Sequence, residues 1–181
     1  MNVFSRRTVL GIRPMTSLLG TLHNFASHLS RDFLNIKPKV GIVGSGNWGT
    51  AVARRVGLNL QQAHPEEKVK MWVHEEIVDG QKLSDVINIK HENIKYLPDI
   101  ALPGNVRAIP DLHEACKDCN ILFFIVPHQF LQSTLEKMKG QVHPDTICVS
   151  FIKGMDACLL QSCYCMLMPY TDAYYIIVCI V

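Results

Sequence analysis

A glycine-rich segment directly after a short apolar run is the feature that most constrains this fold. The run Val40–Val43 is followed by the pattern Gly-x-Gly-x-x-Gly at residues 44–49. Glycines at this spacing often arise by chance, but these lie between a predicted buried strand and a predicted helix from Trp48 to about Leu60. In that context the pattern forms a turn that binds the phosphates of a dinucleotide. The segment therefore predicts a dinucleotide-binding α/β fold, with a turn that binds no ligand as the alternative.

The glycines of this segment have separate roles in binding a pyrophosphate. Gly44 permits the tight turn, Gly46 has no side chain to block the pyrophosphate, and Gly49 lets the helix pack closely on the sheet. The first N–H groups of the helix then point at the phosphates, at its positive dipole end. We therefore predict that the whole segment binds the cofactor: Gly44, Ser45, Gly46, Asn47, Trp48 and Gly49.

The rest of the chain alternates predicted strands and helices. Apolar runs predict strands, and apolar residues at helical spacing predict helices. The strands are expected at 69–73, 106–109, 120–126 and 146–152, and the helices at 79–89, 111–118 and 129–138. Residues 91–105 contain prolines and a glycine and are predicted to be mostly loop. The pattern predicts an α/β fold, a doubly wound parallel sheet of the Rossmann type.

Charged and polar residues follow the predicted strands at their carboxyl ends, where ligands bind in open parallel sheets. After the second strand, Glu75 and Glu76 are placed to hydrogen-bond ribose hydroxyls and to repel a 2′-phosphate, which favours NAD over NADP. Alternatively, both glutamates start the next helix, where the dipole favours acids. His128 after the fourth strand is either a general acid or a structural turn residue. Lys153 after the fifth is either a charge for a phosphate or carbonyl oxygen or a solvated lysine.

Together these segments resemble the NAD-dependent glycerol-3-phosphate dehydrogenases of the cytosolic eukaryotic type. The resemblance covers about residues 39–156 and is specific, because the motifs occur in the same order. They are VGSGNWG at 43–49, MWV at 71–73, HEN at 91–93, YLP at 96–98, VPHQF at 126–130 and IKG at 152–154. The resemblance implies NAD as cofactor and reversible hydride transfer between NADH and dihydroxyacetone phosphate, giving glycerol 3-phosphate. It also implies a homodimer in the cytoplasm.

The resemblance also assigns individual residues. Residues 44–49 would hold the pyrophosphate, Phe130 would line the cofactor pocket, and Lys153 would contact the substrate. His74 stands where the family has a phenylalanine, and its imidazole can stack on or flank the adenosine. No catalytic residue is assigned. The family's catalytic lysine and phosphate-binding arginine belong to a helical substrate domain that is expected to be missing after Asp156.

The sequence is accordingly divided into three parts. Residues 1–37 are expected to be a disordered leader or a transit peptide, because they are rich in arginine and contain one acid, Asp32. Residues 38–156 are the predicted NAD-binding domain. Residues 157–181 form a divergent apolar tail, whose last eight residues can pair as an edge strand. Two alternatives to an active enzyme stay open, an inactive NAD-binding fragment and an unstable splice product, and the leader leaves mitochondria as an alternative location.

Composition restricts the remaining classes of partner. The net charge of +2 is too small to indicate a nucleic-acid-binding protein. No apolar run reaches the ~18 residues of a membrane span. The seven cysteines are odd in number and irregularly spaced, so free thiols are expected. Cys116 and Cys119 form a CxxC pattern without a second pair of ligands at zinc spacing, and no metal site is predicted.

Overall fold

The computed structural model describes residues 37–143, 146–152 and 175–176. All of these residues lie in the unit Lys37–Val181. The helices are α1 (Asn47–Ala63), α2 (Leu83–Lys90), α3 (Leu112–Cys116) and α4 (His128–Met138). The strands are β1 (Val40–Val43), β2 (Val69–Trp72), β3 (Ile77–Val78), β4 (Gln81–Lys82), β5 (Glu92–Asn93), β6 (Leu97–Ala101), β7 (Val106–Ile109), β8 (Ile121–Phe124), β9 (Ile147–Ser150) and β10 (Tyr175–Ile176).

The main sheet has six strands in the order β10-β9-β8-β1-β2-β7, and all of its pairs are parallel. From β1 the chain proceeds outward through β2 to β7, and then returns to the other side of β1 to form β8. This reversal is the topological switch point of a doubly wound sheet, where ligands bind outside the carboxyl ends of the strands. The predicted doubly wound parallel sheet is confirmed. The short strand β10 lies within the tail segment that was expected to pair as an edge strand.

Different helices cover the two faces of the sheet. Successive residues of a strand point to opposite faces. Val40 and Ile42 of β1 pack with apolar residues of α1 and α2, whereas Val43 packs with those of α3 and α4. Burying each such side chain fully contributes about 1.5–3 kcal/mol. Because both faces of β1 and β8 are covered, the loops that follow these strands are held on a rigid support.

The helix boundaries follow local signals in the sequence. The Asp111 carboxylate accepts a hydrogen bond of 2.7 Å from the Glu114 amide and so caps α3 as predicted. The helix predicted at 79–89 starts instead at Leu83, because residues 77–82 form the antiparallel pair β3–β4. The prediction of a helix start at residue 79 was therefore wrong.

Most of residues 91–105 lie outside strands, as the prolines and the glycine had indicated, but seven of these fifteen residues form two short strands. They contain a second antiparallel pair, β5–β6, with an irregularity in its register at residues 92–93. Pro98 lies within β6, which is paired only with β5 among the described strands, so a proline is tolerated there. This small pair packs near α1. A hydrogen bond connects the two, because Arg54 Nε in α1 donates to the carbonyl oxygen of Ala101 in β6 at 3.0 Å.

Candidate functional site

The glycine-rich segment forms the connection between β1 and α1, at the switch point of the sheet. Gly44 has a φ of 123°, a conformation that residues with a side chain rarely adopt. A Cβ atom at this position would lie 2.4 Å from the carbonyl oxygen of Ile125, in the loop that follows β8. The Ile125 amide in turn donates to the carbonyl oxygen of Val43 at 2.9 Å. Gly44 therefore lets the loops after β1 and β8 pack directly on each other.

The other two glycines of the pattern differ in their surroundings. A Cβ at Gly49 would lie 2.2 Å from the carbonyl oxygen of Gly44, so only glycine lets the first turn of α1 approach the loop this closely. A Cβ at Gly46 would have no heavy atom within 4 Å. The loop is thus tightly packed on its inner side and open at Gly46.

The N-terminus of α1 faces this opening. Gly46 is the N-cap residue, and the first turn of the helix contains no acidic side chain. The first N–H groups of a helix have no acceptor within the helix, and the helix dipole gives this end a partial positive charge. An open backbone loop at such an end is a binding site for an anion such as a pyrophosphate.

Aromatic and imidazole side chains are exposed at the same edge of the sheet. Trp48 in the first turn of α1 and Phe130 in the first turn of α4 are each 53 % exposed. Both helices follow neighbouring central strands, so these aromatics lie at adjacent connections. His74, two residues after β2, is also exposed. The predicted residues His74, Trp48 and Phe130 are therefore accessible to a ligand at the carboxyl edge.

Glu75 lies at the start of the helix that follows β2. This fits the second of the two roles predicted for the acids after β2 better than a direct contact with ribose. Its carboxylate accepts hydrogen bonds from the Ser84 amide at 3.2 Å and from the Ser84 hydroxyl at 2.5 Å. Ser84 lies in the first turn of α2, so Glu75 holds the start of that helix. Burial favours a higher pKa for Glu75, but the hydrogen bonds from Ser84, together with the Glu76 amide and the charge of Lys82, outweigh it and lower the pKa. Glu75 is therefore ionised at neutral pH.

Glu76 is held by the segment between β5 and β6. Its carboxylate forms an ion pair with Lys95 and accepts a hydrogen bond of 2.9 Å from the Tyr96 hydroxyl. The hydrogen bond from Lys95, followed by that from Tyr96, lowers the pKa of Glu76. The Lys95 ammonium also lies 4.9 Å from the centre of the Tyr96 ring. Glu76 thus ties the end of β2 to the β5–β6 segment.

Two buried polar residues support the glycine-rich loop at residues 44–49, the proposed phosphate loop, and neither was predicted from residue patterns. Thr50 and Asn93 are both 0 % exposed. Thr50 Oγ1 donates to the carbonyl oxygen of Ser45 at 3.0 Å, and Asn93 Nδ2 donates to the same oxygen at 2.9 Å. Asn93 entered the sequence analysis only as part of the HEN motif. Its contact with the loop joins residues 48 positions apart, which periodicity does not detect.

The other candidates from the sequence are Lys153, His128 and the cysteines. Lys153 lies outside the described residues. His128 is the first residue of α4 and is exposed. Cys116 and Cys119 are free thiols and are buried, as expected for the CxxC pattern, and Cys148 is also buried. In the described part of the chain, no group of histidine, cysteine and acidic residues is placed to hold a metal, and no helix is long and apolar enough to cross a membrane.

Comparison with known proteins places this geometry in a family. Residues 39–177 match the family model described as the N-terminus of NAD-dependent glycerol-3-phosphate dehydrogenase. The chain belongs to this family. The match includes residues 157–177, which the sequence analysis assigned to the divergent tail.

Curated relatives agree with this assignment to the glycerol-3-phosphate dehydrogenases. The chain is 54% identical over 119 residues to the cytoplasmic NAD-dependent enzyme of Bos taurus, a match that covers 65% of this chain and 34% of the relative. It is 49% identical over 133 residues to the enzyme of Pichia angusta, covering 70% and 35% respectively. The chain therefore spans about a third of the length of these relatives.

Solved structures of the family have the same fold. The glycerol-3-phosphate dehydrogenase of Saccharomyces cerevisiae superposes with a TM-score of 0.69 at 39% identity, over 77% of this chain and 41% of that one. The enzyme of Dunaliella salina superposes with a TM-score of 0.68 at 33% identity, over 77% and 26%. The resemblance stated from the motifs is thus confirmed in sequence and in fold.

Proposed function

We propose that this chain binds NAD at the carboxyl edge of its sheet, with the pyrophosphate against residues 44–49. The observation that carries the proposal is the contrast among the three glycines. Gly44 and Gly49 are closed in by backbone oxygens, whereas Gly46 is open to solvent at the positive end of α1. A dinucleotide needs this combination of a rigid loop and a free approach to backbone N–H groups.

The exposed side chains around the loop extend this site along a dinucleotide. His74 follows β2, where the adenosine of a dinucleotide lies in this fold, and its imidazole flanks the adenosine in our proposal. Phe130 and Trp48 supply apolar surface beside the loop. The ionised Glu75 gives the end of β2 a negative potential that disfavours a 2′-phosphate, whereas the charge of Glu76 is balanced by Lys95. We therefore expect NADH to bind more tightly than NADPH.

The reaction associated with the family is hydride transfer between NADH and dihydroxyacetone phosphate, which gives glycerol 3-phosphate. Bound NADH supplies the hydride, and the described residues of this chain bind and orient the dinucleotide. Lys153 is proposed to contact the phosphorylated substrate, as the resemblance implies. Because the chain spans about a third of the length of its relatives, we place NAD binding in this polypeptide and assign the dihydroxyacetone phosphate reaction to its lineage.

The test uses the purified 181-residue chain. NADH binding is measured by isothermal titration, with NADPH as the comparison, and NADH oxidation is followed after addition of dihydroxyacetone phosphate. We expect binding of NADH with weaker binding of NADPH. Absence of NADH binding by a folded chain would refute the proposal. Oxidation at an enzyme-like rate would show that this polypeptide carries the complete reaction and is more than a cofactor-binding unit.

The proposed location is the cytoplasm, as in the relatives whose names state it. The arginine-rich leader keeps mitochondria as the alternative. A fluorescent protein fused behind residues 1–38 separates the two, because a transit peptide directs the fusion to mitochondria, whereas an inert leader leaves it diffuse.

A further inference from the structure

The carbonyl oxygen of Ser45, within the phosphate loop, is held by two buried side chains from different elements. Thr50 Oγ1 in α1 and Asn93 Nδ2 in β5 both donate to it, at 3.0 and 2.9 Å. Asn93 Nδ2 also donates to Thr50 Oγ1 at 2.9 Å. A carbonyl oxygen has two lone pairs, so these donors occupy both acceptor sites of Ser45. The oxygen is therefore fixed toward the interior.

The donor side chains are themselves fixed. Asn93 Oδ1 accepts a hydrogen bond of 3.2 Å from the Tyr96 amide. This bond also settles which end of the Asn93 amide faces the loop, because the oxygen is engaged and the nitrogen is left to donate to Ser45. Thr50 is anchored through its own amide, which donates to the Gly46 carbonyl oxygen at 2.9 Å. The network is buried and each of its side-chain polar atoms is satisfied, so it rigidifies the loop.

Holding the Ser45 oxygen also fixes the direction of the next amide. A peptide unit is planar, and in the trans form its C=O and N–H bonds point in opposite directions. The described residues contain no cis peptide bond. With the Ser45 oxygen directed at Thr50 and Asn93, the Gly46 N–H is directed away from them and out of the interior. Gly46 is the residue whose surroundings are open.

We propose that Thr50 and Asn93 are positioning residues that set the Ser45–Gly46 peptide so that the Gly46 N–H meets the pyrophosphate of NAD. The inference deepens the proposed NAD binding and rests on it. Neither side chain touches the dinucleotide, because both are fully buried. Their effect is pre-organisation: a peptide that is already oriented loses less conformational freedom when the ligand binds.

The test compares two substitutions at one position. Thr50→Val removes the hydroxyl and keeps a β-branched side chain, whereas Thr50→Ser keeps the hydroxyl and removes the methyl group. Thr146→Val is the matched control, because Thr146 is also 0 % exposed and its hydroxyl donates to the Cys119 carbonyl oxygen at 2.8 Å. Thr146 precedes β9 and so lies at the opposite edge of the sheet from the loop. Asn93→Leu removes the second donor from a different element, in case the valine variant does not fold.

We expect Thr50→Val and Asn93→Leu to raise the Kd for NADH about tenfold, which is about 1.4 kcal/mol. Thr50→Ser should keep the wild-type affinity even if it lowers the melting temperature. Thr146→Val should lower the melting temperature and leave the affinity unchanged. Wild-type affinity in folded Thr50→Val and Asn93→Leu would overturn the inference. So would an equal loss of affinity in Thr146→Val, since that would indicate a general effect of stability.

A second measurement does not need the ligand. The backbone 15N order parameter of Gly46 in the free chain is expected to fall from about 0.85 in the wild type to below about 0.6 in Thr50→Val, and to stay high in Thr50→Ser. If the wild type fails to bind NADH, the proposed function fails, and the order parameter still decides whether Thr50 and Asn93 set the Ser45–Gly46 peptide. A Gly46 amide that stays rigid in Thr50→Val overturns it, and a mobile one supports it.

Discussion

The substitution Gly46→Ala is expected to lower the affinity for NADH without lowering the stability of the fold. Gly46 has a φ of −62° and a ψ of −176°, an extended conformation that alanine adopts without strain. A Cβ atom built at this position has no heavy atom within 4 Å. The methyl group is therefore accommodated in the free protein. It projects from the part of the loop where the pyrophosphate is proposed to approach the backbone.

The size of the effect follows from the contacts at stake. A phosphate oxygen displaced by the methyl group loses the hydrogen bond from the loop backbone. A hydrogen bond to a charged group contributes about 1.5–3 kcal/mol. At about 1.4 kcal/mol for each factor of ten, loss of one such bond raises the Kd for NADH about tenfold to about a hundredfold. Stability should not fall, because a glycine-to-alanine change at a compatible position is neutral or stabilises by up to about 1 kcal/mol.

The assay combines isothermal titration with NADH and thermal unfolding of the free chain. Gly104→Ala is the matched control, because a Cβ at Gly104 also has no heavy atom within 4 Å and its φ lies outside the left-handed region. We expect both variants to keep the wild-type melting temperature and only Gly46→Ala to lose affinity. Undiminished NADH binding by Gly46→Ala would refute the reasoning. A lowered melting temperature for Gly46→Ala would instead show that the open space around Gly46 was misjudged.

Three other predictions concern the framework around the site. Gly49→Ala should lower the free energy of unfolding by about 1–3 kcal/mol in urea titrations, because its Cβ would lie 2.2 Å from a backbone oxygen; unchanged stability would contradict this. Burial raises the pKa of Cys116 to about 12 and that of Cys119 to about 11, so neither thiol should be alkylated in the native chain at about pH 8, as mass spectrometry after a labelling pulse can show. The hydrogen bond from Lys95 lowers the pKa of Glu76 from 4.5, so Glu76 stabilises the fold at neutral pH and loses that contribution as the pH falls through the lowered pKa. Glu76→Gln should therefore be less stable than wild type at neutral pH and approach it in acid, and a difference that stays constant with pH would contradict the assignment.

The parallel sheet could be predicted because its signals are local. The strands β1 and β8 at the centre of the main sheet are short apolar runs, and the helices α1 and α4 that follow them have apolar residues at helical spacing. The strand β8 illustrates this: Ile121 and Phe123 face one side of the sheet and Leu122 and Phe124 the other, and both sides are apolar. A strand that is buried on both faces shows an unbroken apolar run in the sequence. The cap of α3 is also a local signal, because the Asp111 carboxylate accepts a hydrogen bond from the amide of Glu114, only three residues later.

The two antiparallel pairs could not be predicted, because their stability is not local. Strands β3, β4 and β5 have two residues each, too few for a periodic pattern, and β4 and β5 are polar. Their backbone pairing is supported by contacts such as the one from Tyr96 to Glu76, which are 20 positions apart. The hydrogen-bond partner of the Glu75 carboxylate could not be predicted either. An acid after β2 serves a ribose or the start of the next helix equally well in sequence terms, and only the distance to Ser84 separates these possibilities.

The three glycines of the loop differ in whether the fold or a ligand requires them. Gly44 and Gly49 are required by the fold itself, since a Cβ at either position would lie within 2.4 Å of a backbone oxygen with or without NAD. Their presence explains a tight strand-to-helix turn and nothing more. The fold places no such requirement on Gly46, because alanine fits its conformation and its space. A side chain is disfavoured there only if another molecule must come close to the backbone, and the positive end of α1 favours an anion. Within the Gly-x-Gly-x-x-Gly pattern, the middle glycine is therefore the one that indicates a bound pyrophosphate.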